Sequence, residues 1–259
     1  MEMQSYQHGV PSWVDLGTPD LAAATAFYSG LFDWNVLAGP PESGGYAIAE
    51  LRGKPVAGLG PQMNPGPPVW ATYVNVDSAD EVIGGVEAAG GHVIMPPMDV
   101  MDVGRMAILA DPLGAVISVW QAGNHPGAGL VNEPGTYGWS ELITTDIERS
   151  KTFYASVFGW DARTSGDDPQ TAYTEWQVDG RSVGGMMLKP PMMPAEVPPH
   201  WDVYFVVPDA DAAVDRVREL GGSLMYGPMD IEPGRFAVVA DPTGAIFNVM
   251  ALKPELANA

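Results

Sequence analysis

The chain contains no cysteine. That excludes disulfides, thiolate nucleophiles and thiolate-ligated metals. Histidine is nearly as scarce, so imidazole chemistry must come from one of four residues, His8, His92, His125 or His200. Basic residues are few: 12 Lys and Arg stand against 32 Asp and Glu, a net charge of −20. Such a surface repels nucleic acid and anionic membrane, because both need phosphate neutralised by Lys and Arg. No apolar run approaches the ~20 residues of a membrane span. Residues 1–6 show no basic segment followed by an apolar one, so no signal peptide is expected and a cytoplasmic location is the default. With 46% apolar and 17% charged residues over 259 positions, the composition is that of a folded globular protein. The length allows two ordinary domains, each with its own core.

What is present is a repeat. Gly104-Arg105-Met106-Ala107-Ile108-Leu109-Ala110-Asp111-Pro112-Leu113-Gly114-Ala115 returns as Gly234-Arg235-Phe236-Ala237-Val238-Val239-Ala240-Asp241-Pro242-Thr243-Gly244-Ala245. Each copy predicts two antiparallel strands around an Asp-Pro-x-Gly turn, in which Pro presets one dihedral and Gly tolerates the left-handed one. The duplication runs through the chain. Trp139, Glu141, Tyr154, Phe158 and Trp160 follow Trp13, Asp15, Tyr28, Phe32 and Trp34 at one constant offset, and Trp201 and Tyr204 answer Trp70 and Tyr73. Within the first half, the same spacing separates Trp13 from Asp20 and Trp70 from Asp77. Asp20 reads as the N-cap of a helix with Leu21, Ala24, Phe27, Tyr28, Leu31 and Phe32 on one face. A second helix is predicted over 79–89. Pro-rich stretches at 61–68 and 189–199 read as extended crossovers. Residues 122–136, rich in Gly, Pro and Asn, read as a linker between a first domain, 1–121, and a second, 137–259. The pattern is four β-α-β-β-β modules, two per half, each opening on a Trp.

The pieces Thr18-Pro19-Asp20…Phe27-Tyr28…Leu31-Phe32-Asp33-Trp34 and Thr145-Asp146…Phe153-Tyr154…Val157-Phe158-Gly159-Trp160, with the two Asp-Pro-x-Gly turns, resemble the vicinal oxygen chelate superfamily of glyoxalase I, extradiol dioxygenases and bleomycin-resistance-type proteins. The Trp-Val-Asp-Leu start and the Gly-Arg-x-Ala run are similar to the duplicated actinobacterial members labelled glyoxalase-like or hydroxylase. The resemblance implies an α+β fold of two tandem glyoxalase-like domains, each a pair of βαβββ modules forming a curled mixed sheet that holds a ligand. It also implies where metal ligands would stand. Those positions fall on Trp13 and Trp139, on Trp70 or Ala71 and Trp201 or Asp202, on Ser118 and Asn248, and near 58–60 and 185–187. A catalytic metal needs about three protein ligands and an open position, and neither half supplies them. No metal and no other cofactor is therefore expected.

Candidate residues follow from strand alternation, which puts Trp13 with Asp15, and Trp139 with Glu141, on one face. Trp13, Trp70, Trp139 and Trp201 either floor the cups, as flat surface for an aromatic or polyketide-like ligand, or fill the core against the helices. Trp120 shares a face with Ser118, and Met250 with Asn248, so Ser118, Trp120 and Asn248 join the ligand-binding set. Tyr46 and Tyr173 are placed to line the cups. Glu175 and Glu50 share their faces, although solvated strand faces explain these carboxylates equally. His200 is the one His beside a predicted cup strand. With Asp202 and Glu141 it forms a candidate acid/base set, against the plainer reading of an exposed strand-end His. His8 and His125 fall in segments expected to be flexible. Arg105 and Arg235 either contact an anion or bond the Asp99 and Asp230 region across the loop, and the structural reading is favoured. Met186-Met187 and Met192-Met193 suit an adaptable lip or core filler. Because His200, Asp202 and Asn248 stand where the first half has Val69, Ala71 and Ser118, the second cup is expected to be the more polar.

The functional expectation is metal-independent binding or processing of an apolar or aromatic metabolite, of the kind found in antibiotic biosynthesis or resistance. Lyase, isomerase or hydroxylase-like turnover and plain sequestration both stay open, since one fold hosts many activities. The alternative is a glyoxalase I-type lyase acting on methylglyoxal thiol adducts. A third reading is an interaction scaffold with filled cups. The expected partner is one small molecule, with no nucleic acid or membrane. The chain would be a pseudo-dimer working as monomer or homodimer.

Overall fold

Strand β1 (Pro11–Thr18) runs into Asp20, whose carboxylate accepts the Ala23 N–H at 2.9 Å and starts helix α1 (Leu21–Phe32). Asp33, in the left-handed region at φ 58°, stops it. Strands β2 (Asn35–Ala38), β3 (Ala47–Leu51) and β4 (Lys54–Pro61) complete the first module. The second is β5 (Val69–Asn75), α2 (Ala79–Val86), β6 (His92–Val100), β7 (Gly104–Ala110) and β8 (Val116–Ala122). The third is β9 (Tyr137–Thr144), α3 (Ile147–Phe158), β10 (Asp161–Ser165), β11 (Tyr173–Val178) and β12 (Arg181–Leu188). The fourth is β13 (His200–Val206), α4 (Ala210–Glu219), β14 (Ser223–Ile231), β15 (Gly234–Ala240) and β16 (Ile246–Leu252). This computed structural model describes residues 1–63, 65–168 and 170–256. Residue 64, in the first Pro-rich crossover, lies outside them. Helix α2 ends at Val86 rather than 89, the last residues forming a turn before Gly90 and Gly91.

The first half orders its strands β2-β3-β4-β1-β5-β8-β7-β6, and the second β10-β11-β12-β9-β13-β16-β15-β14. In each, the two opening strands pair antiparallel at the centre, β1 with β5 and β9 with β13. Each opening strand also pairs parallel with the last strand of its own module. A single pair, Ile246 with Val69, joins the two sheets through β16 and β5. The halves are therefore tandem α+β domains built from curled mixed sheets, as the resemblance implies.

Neither half has a core to itself, contrary to the expectation from chain length. One cluster joins Phe27, Tyr28 and Phe32 of α1 to Phe205, Val214, Val217, Val239 and Phe247 of the fourth module. The other joins Val82 and Val86 of α2 to Phe153, Tyr154, Val157 and Trp160 of the third. A helix on the outer face of a curled sheet leaves one apolar side uncovered, and the opposite half covers it. The Asp of each Asp-Pro-x-Gly turn fastens this exchange. Asp241 Oδ1 accepts the N–H groups of Thr243 and Ala245 at 2.8 and 3.0 Å, while its Oδ2 accepts the Tyr28 hydroxyl of the other half at 3.2 Å. Asp111 does the same with Leu113, Ala115 and Tyr154. Each Tyr hydroxyl in turn accepts an indole N–H at 2.9 Å, from Trp70 and Trp201 respectively.

Trp70 and Trp201 are thus core residues, and their assignment to ligand binding is corrected. Trp70 packs on Tyr28, Trp34 and Phe205, and Trp201 on Tyr154 and Trp160. Arg105 and Arg235 are structural as expected: Arg105 bonds Asp80 and Asp99, and Arg235 bonds Asp211 and Asp230. These arginines tie the start of α2 and of α4 to the hairpins beside them. Tyr28→Phe removes one hydroxyl that serves both Asp241 and the Trp70 indole. The variant is expected to lose about 1–3 kcal/mol, read as a lower urea midpoint at unchanged slope. An unmoved midpoint would mean that this hydroxyl fastens nothing.

Candidate functional site

The inner faces of the two sheets carry the chemistry. In the second half, register places Trp139 opposite Tyr204 and Glu141 opposite Asp202, with Tyr204 beside Asn248 on the neighbouring strand. All five side chains therefore project from one face. Tyr173 reaches the same place from β11 by lying across Gly185. An added Cβ there would stand 1.8 Å from the Tyr173 hydroxyl, so only glycine admits the ring. Trp139 Nε1 donates to that hydroxyl at 2.9 Å. Tyr204 donates to Glu141 Oε1 at 2.9 Å, and the Tyr173 hydroxyl also bonds the Glu141 carboxylate.

Glu141 is 7% exposed. Burial pushes its carboxyl up to about 7, the Tyr173 bond pulls it down, and the nearby Asp202 charge pushes it up again. A carboxyl poised there exchanges a proton near neutral pH. His200 Nε2 lies 3.5 Å from Asp202 Oδ1, and its Nδ1 bonds the Pro198 carbonyl at 2.8 Å. Burial works against the imidazolium, but the bond and charge of Asp202 outweigh it, so the pKa of His200 is raised. His200, Asp202 and Glu141 are therefore brought together. Asn248 is fully buried, and neither its amide nitrogen nor its amide oxygen has a partner. Phe236, opposite Met250, adds an aromatic wall 6.4 Å from the Tyr204 ring. Glu175 shares the Glu141 face, but its carboxylate accepts the Ser182 hydroxyl at 2.6 Å, on the exposed side.

The first half repeats the plan with its carboxylate and phenols partnered. Trp13 Nε1 donates to the Tyr46 hydroxyl at 3.0 Å, and Tyr46 and Tyr73 each donate to Asp15 Oδ2 at 3.0 Å. Ser118 bonds Tyr73. Burial pushes the Asp15 carboxyl up to about 6, against the pull of its Tyr73 and Tyr46 bonds. His125, expected in a flexible segment, instead seats its ring edge-on to Trp13 at 4.5 Å and 5.9 Å from Trp120. Trp13 is consequently 4% exposed, whereas Trp139 is only half-buried.

Sequence reasoning missed Tyr73, Tyr204, Phe236 and His125. The first two could have been found: each is a repeated aromatic two residues beyond Ala71 or Asp202 and so shares its face. Met187 faces the second cup beside Tyr173, while Met186 is core. A separate groove of about 480 Å³, lined by Ile147, Lys151, Thr164 and Leu188 among others, holds none of the sequence candidates.

The geometry is that of a paired-module fold whose second sheet gathers carboxylates, phenols, an indole and an amide on one face. A sequence model of the "Glyoxalase/Bleomycin resistance protein/Dioxygenase superfamily" matches residues 11–119 and again 132–249. The chain belongs to that superfamily. It is 43% identical over 258 residues to "Putative glyoxylase CFP32" of Mycobacterium tuberculosis, covering 96% of this chain and 97% of that protein. It is 39% identical over 267 residues to "Anthracycline biosynthesis protein DnrV" of Streptomyces peucetius, covering 97% and 96%. Among solved structures, the Mn(II)-bound glyoxalase from Novosphingobium aromaticivorans aligns with TM-score 0.65 at 18% identity, over 95% of this chain and 83% of that one. The 2,3-dioxygenase LapB from Pseudomonas sp. KL28 aligns with TM-score 0.65 at 13% identity, over 96% of each. These two share the fold.

A metal such as the first of these structures holds does not suit the residues here. Among the described residues, no group of three or more His, Cys, Asp or Glu is arranged to hold a metal ion. At the positions the superfamily resemblance marks, an indole stands at Trp139, a phenol covers Gly185 and an amide stands at Asn248, leaving Asp202.

The raised Glu141 pKa sets a pH dependence. The folded chain penalises the ionised form, so the contribution of Glu141 to stability is intact below the ordinary carboxylate pKa of 4.5 and falls as pH rises through about 7. Over that window the loss is on the order of 3 kcal/mol. Glu141→Gln is expected to flatten that limb of the stability curve, measured by chemical denaturation between about pH 4 and pH 8. An unchanged slope would mean that Glu141 ionises as it does in water.

Proposed function

We propose that the second cup binds a planar aromatic metabolite bearing carbonyl or hydroxyl groups, and that Glu141 moves a proton on it without a metal. The observation that carries this is the orphaned Asn248 amide beside the Glu141–Tyr204 pair. A buried polar group without a partner costs roughly 1–3 kcal/mol. A ligand that offers one acceptor and one donor recovers that cost, and a hydroxylated quinone or an enolisable ketone offers both. Trp139 and Phe236 supply flat apolar surface for the rings. Tyr173 and Tyr204 steady the carboxylate when Glu141 gives its proton up, and His200 with Asp202 forms a second titratable pair on the same face. The relative named for anthracycline biosynthesis agrees in ligand class. On this reading residues 137–259 are the working domain and 1–121 its packing partner, joined by 122–136 in a chain that operates inside the cell.

The test is titration with hydroxylated anthraquinones and naphthoquinones, followed by Trp emission. Saturable quenching is expected, with Asn248→Ala weakening binding about 10-fold or more. The same variant should leave the unliganded chain as stable as before or more so, because it removes an unmet amide. A flat response across the panel would overturn the reading. A second reading, a lyase acting on thiol adducts of methylglyoxal, has the glyoxylase-named relative in its favour. Activity on such adducts that needs a divalent metal and disappears with a chelator would put it first.

A further inference from the structure

We infer that His125 is a built-in plug of the first cup: its imidazole holds the place of a small neutral heteroaromatic ring between Trp13 and Trp120, so the intact chain keeps this cup closed. This is a different cup from the one proposed above and does not depend on that reading.

After β8 the chain turns back on itself. The N–H groups of Gly123 and His125 both donate to the Val103 carbonyl at 3.0 Å. Trp120 Nε1 donates to the His125 carbonyl at 2.8 Å, and the Ala128 N–H donates to Ser12 O at 2.8 Å. These bonds aim the His125 ring into the cup, where it meets Trp13 at an interplanar angle of 86° and Trp120 at 70°. Edge-to-face contact at such distances is favourable for any flat ring.

The ring is held by packing alone. Its Nε2 is buried with no partner, and burial lowers the pKa of the imidazole, so it sits in the cup uncharged. The polar floor cannot answer that nitrogen, because Asp15, Tyr46, Tyr73 and Ser118 are already bonded to one another. A plug with an unmet buried nitrogen is less firmly held than an apolar one of the same shape.

Among the described residues, the second half shows the same scaffold without a plug. Met250 stands in place of Trp120, and the Lys253 N–H bonds the Pro233 carbonyl as Gly123 bonds Val103. Lys253, Pro254, Glu255 and Leu256 are then exposed instead of turning inward. The site defined by His125 is therefore sized for a five- or six-membered ring between two indoles. It selects by shape and neutrality rather than by charge.

Imidazole itself is the probe. In full-length His125→Ala, imidazole is expected to bind saturably with a Kd of about 1 mM, shifting the Trp13 and Trp120 indole N–H resonances and leaving that of Trp139 in place. The wild-type chain, and His125→Phe with its refilled cup, should show no such binding. Binding of equal strength in the wild type, or none in a folded His125→Ala, would overturn the inference, as would shifts confined to Trp139. If His125→Ala does not fold, His125→Asn goes through the same titration. Independently of any variant, the wild-type His125 ring protons should be displaced from their solution values by the two indole ring currents, and ordinary shifts would also overturn it.

Discussion

Two buried hydroxyls hold the chain in one piece. Tyr28 and Tyr154 each cross from a helix of one half to the turn aspartate of the other, and each carries an indole behind it. The aspartate has two tasks on two oxygens: one closes its own hairpin, the other accepts the tyrosine. The clasp is what makes the exchanged cores possible, because α1 and α2 find their apolar cover in the opposite half. It has a further consequence for the sheets. With the helix-facing sides covered by exchange, the inner faces carry carboxylates, phenols and amides close together.

What those faces do with that freedom differs by a few side chains. In the first cup Asp15, Tyr46, Tyr73 and Ser118 close a saturated network under a ring supplied by the chain. In the second, the longer Glu141 meets the same two phenols but faces Asp202 instead of Ala71, and Asn248 replaces Ser118 with more hydrogen-bonding capacity than its neighbours satisfy. Desolvation lifts both carboxyls, and the added like charge of Asp202 helps carry Glu141 up to about 7. In the first half the floor groups bond one another, whereas in the second the Asn248 amide is left unmet.

The modules, the helix starts at Asp20 and Asp146 and the hairpins at Asp111 and Asp241 were legible in the sequence, because each rests on local turn and capping chemistry and occurs twice. The inward faces were legible where alternation could be anchored, as at Trp13 with Asp15 and Trp139 with Glu141. Trp70 and Trp201 were misread because their strands carried a one-residue ambiguity, and one residue reverses the face. His125 was misread because Gly, Pro and Asn around it suggest a loose linker, while its order comes from Val103, Trp120 and Trp13, distant contacts with no local trace. The exchanged core was hidden for a related reason: the repeat says that modules pair but is silent on which helix faces which half.

Gly185 shows how closely the tyrosine network and a metal centre compete for the same space. The position lies in one of the stretches where the family resemblance places a ligand, yet any Cβ there would stand 1.8 Å from the Tyr173 hydroxyl and 2.9 Å from Trp139 Nε1. Gly58 has the same relation to Tyr46 and to the Cβ of Asp15. A ligating side chain at either position would push the phenol off its carboxylate and break the indole–phenol–carboxylate chain. The two designs are therefore exclusive at this strand. A cup that keeps glycine there has its carboxylate held by hydrogen bonds from tyrosine, with a pKa that burial raises.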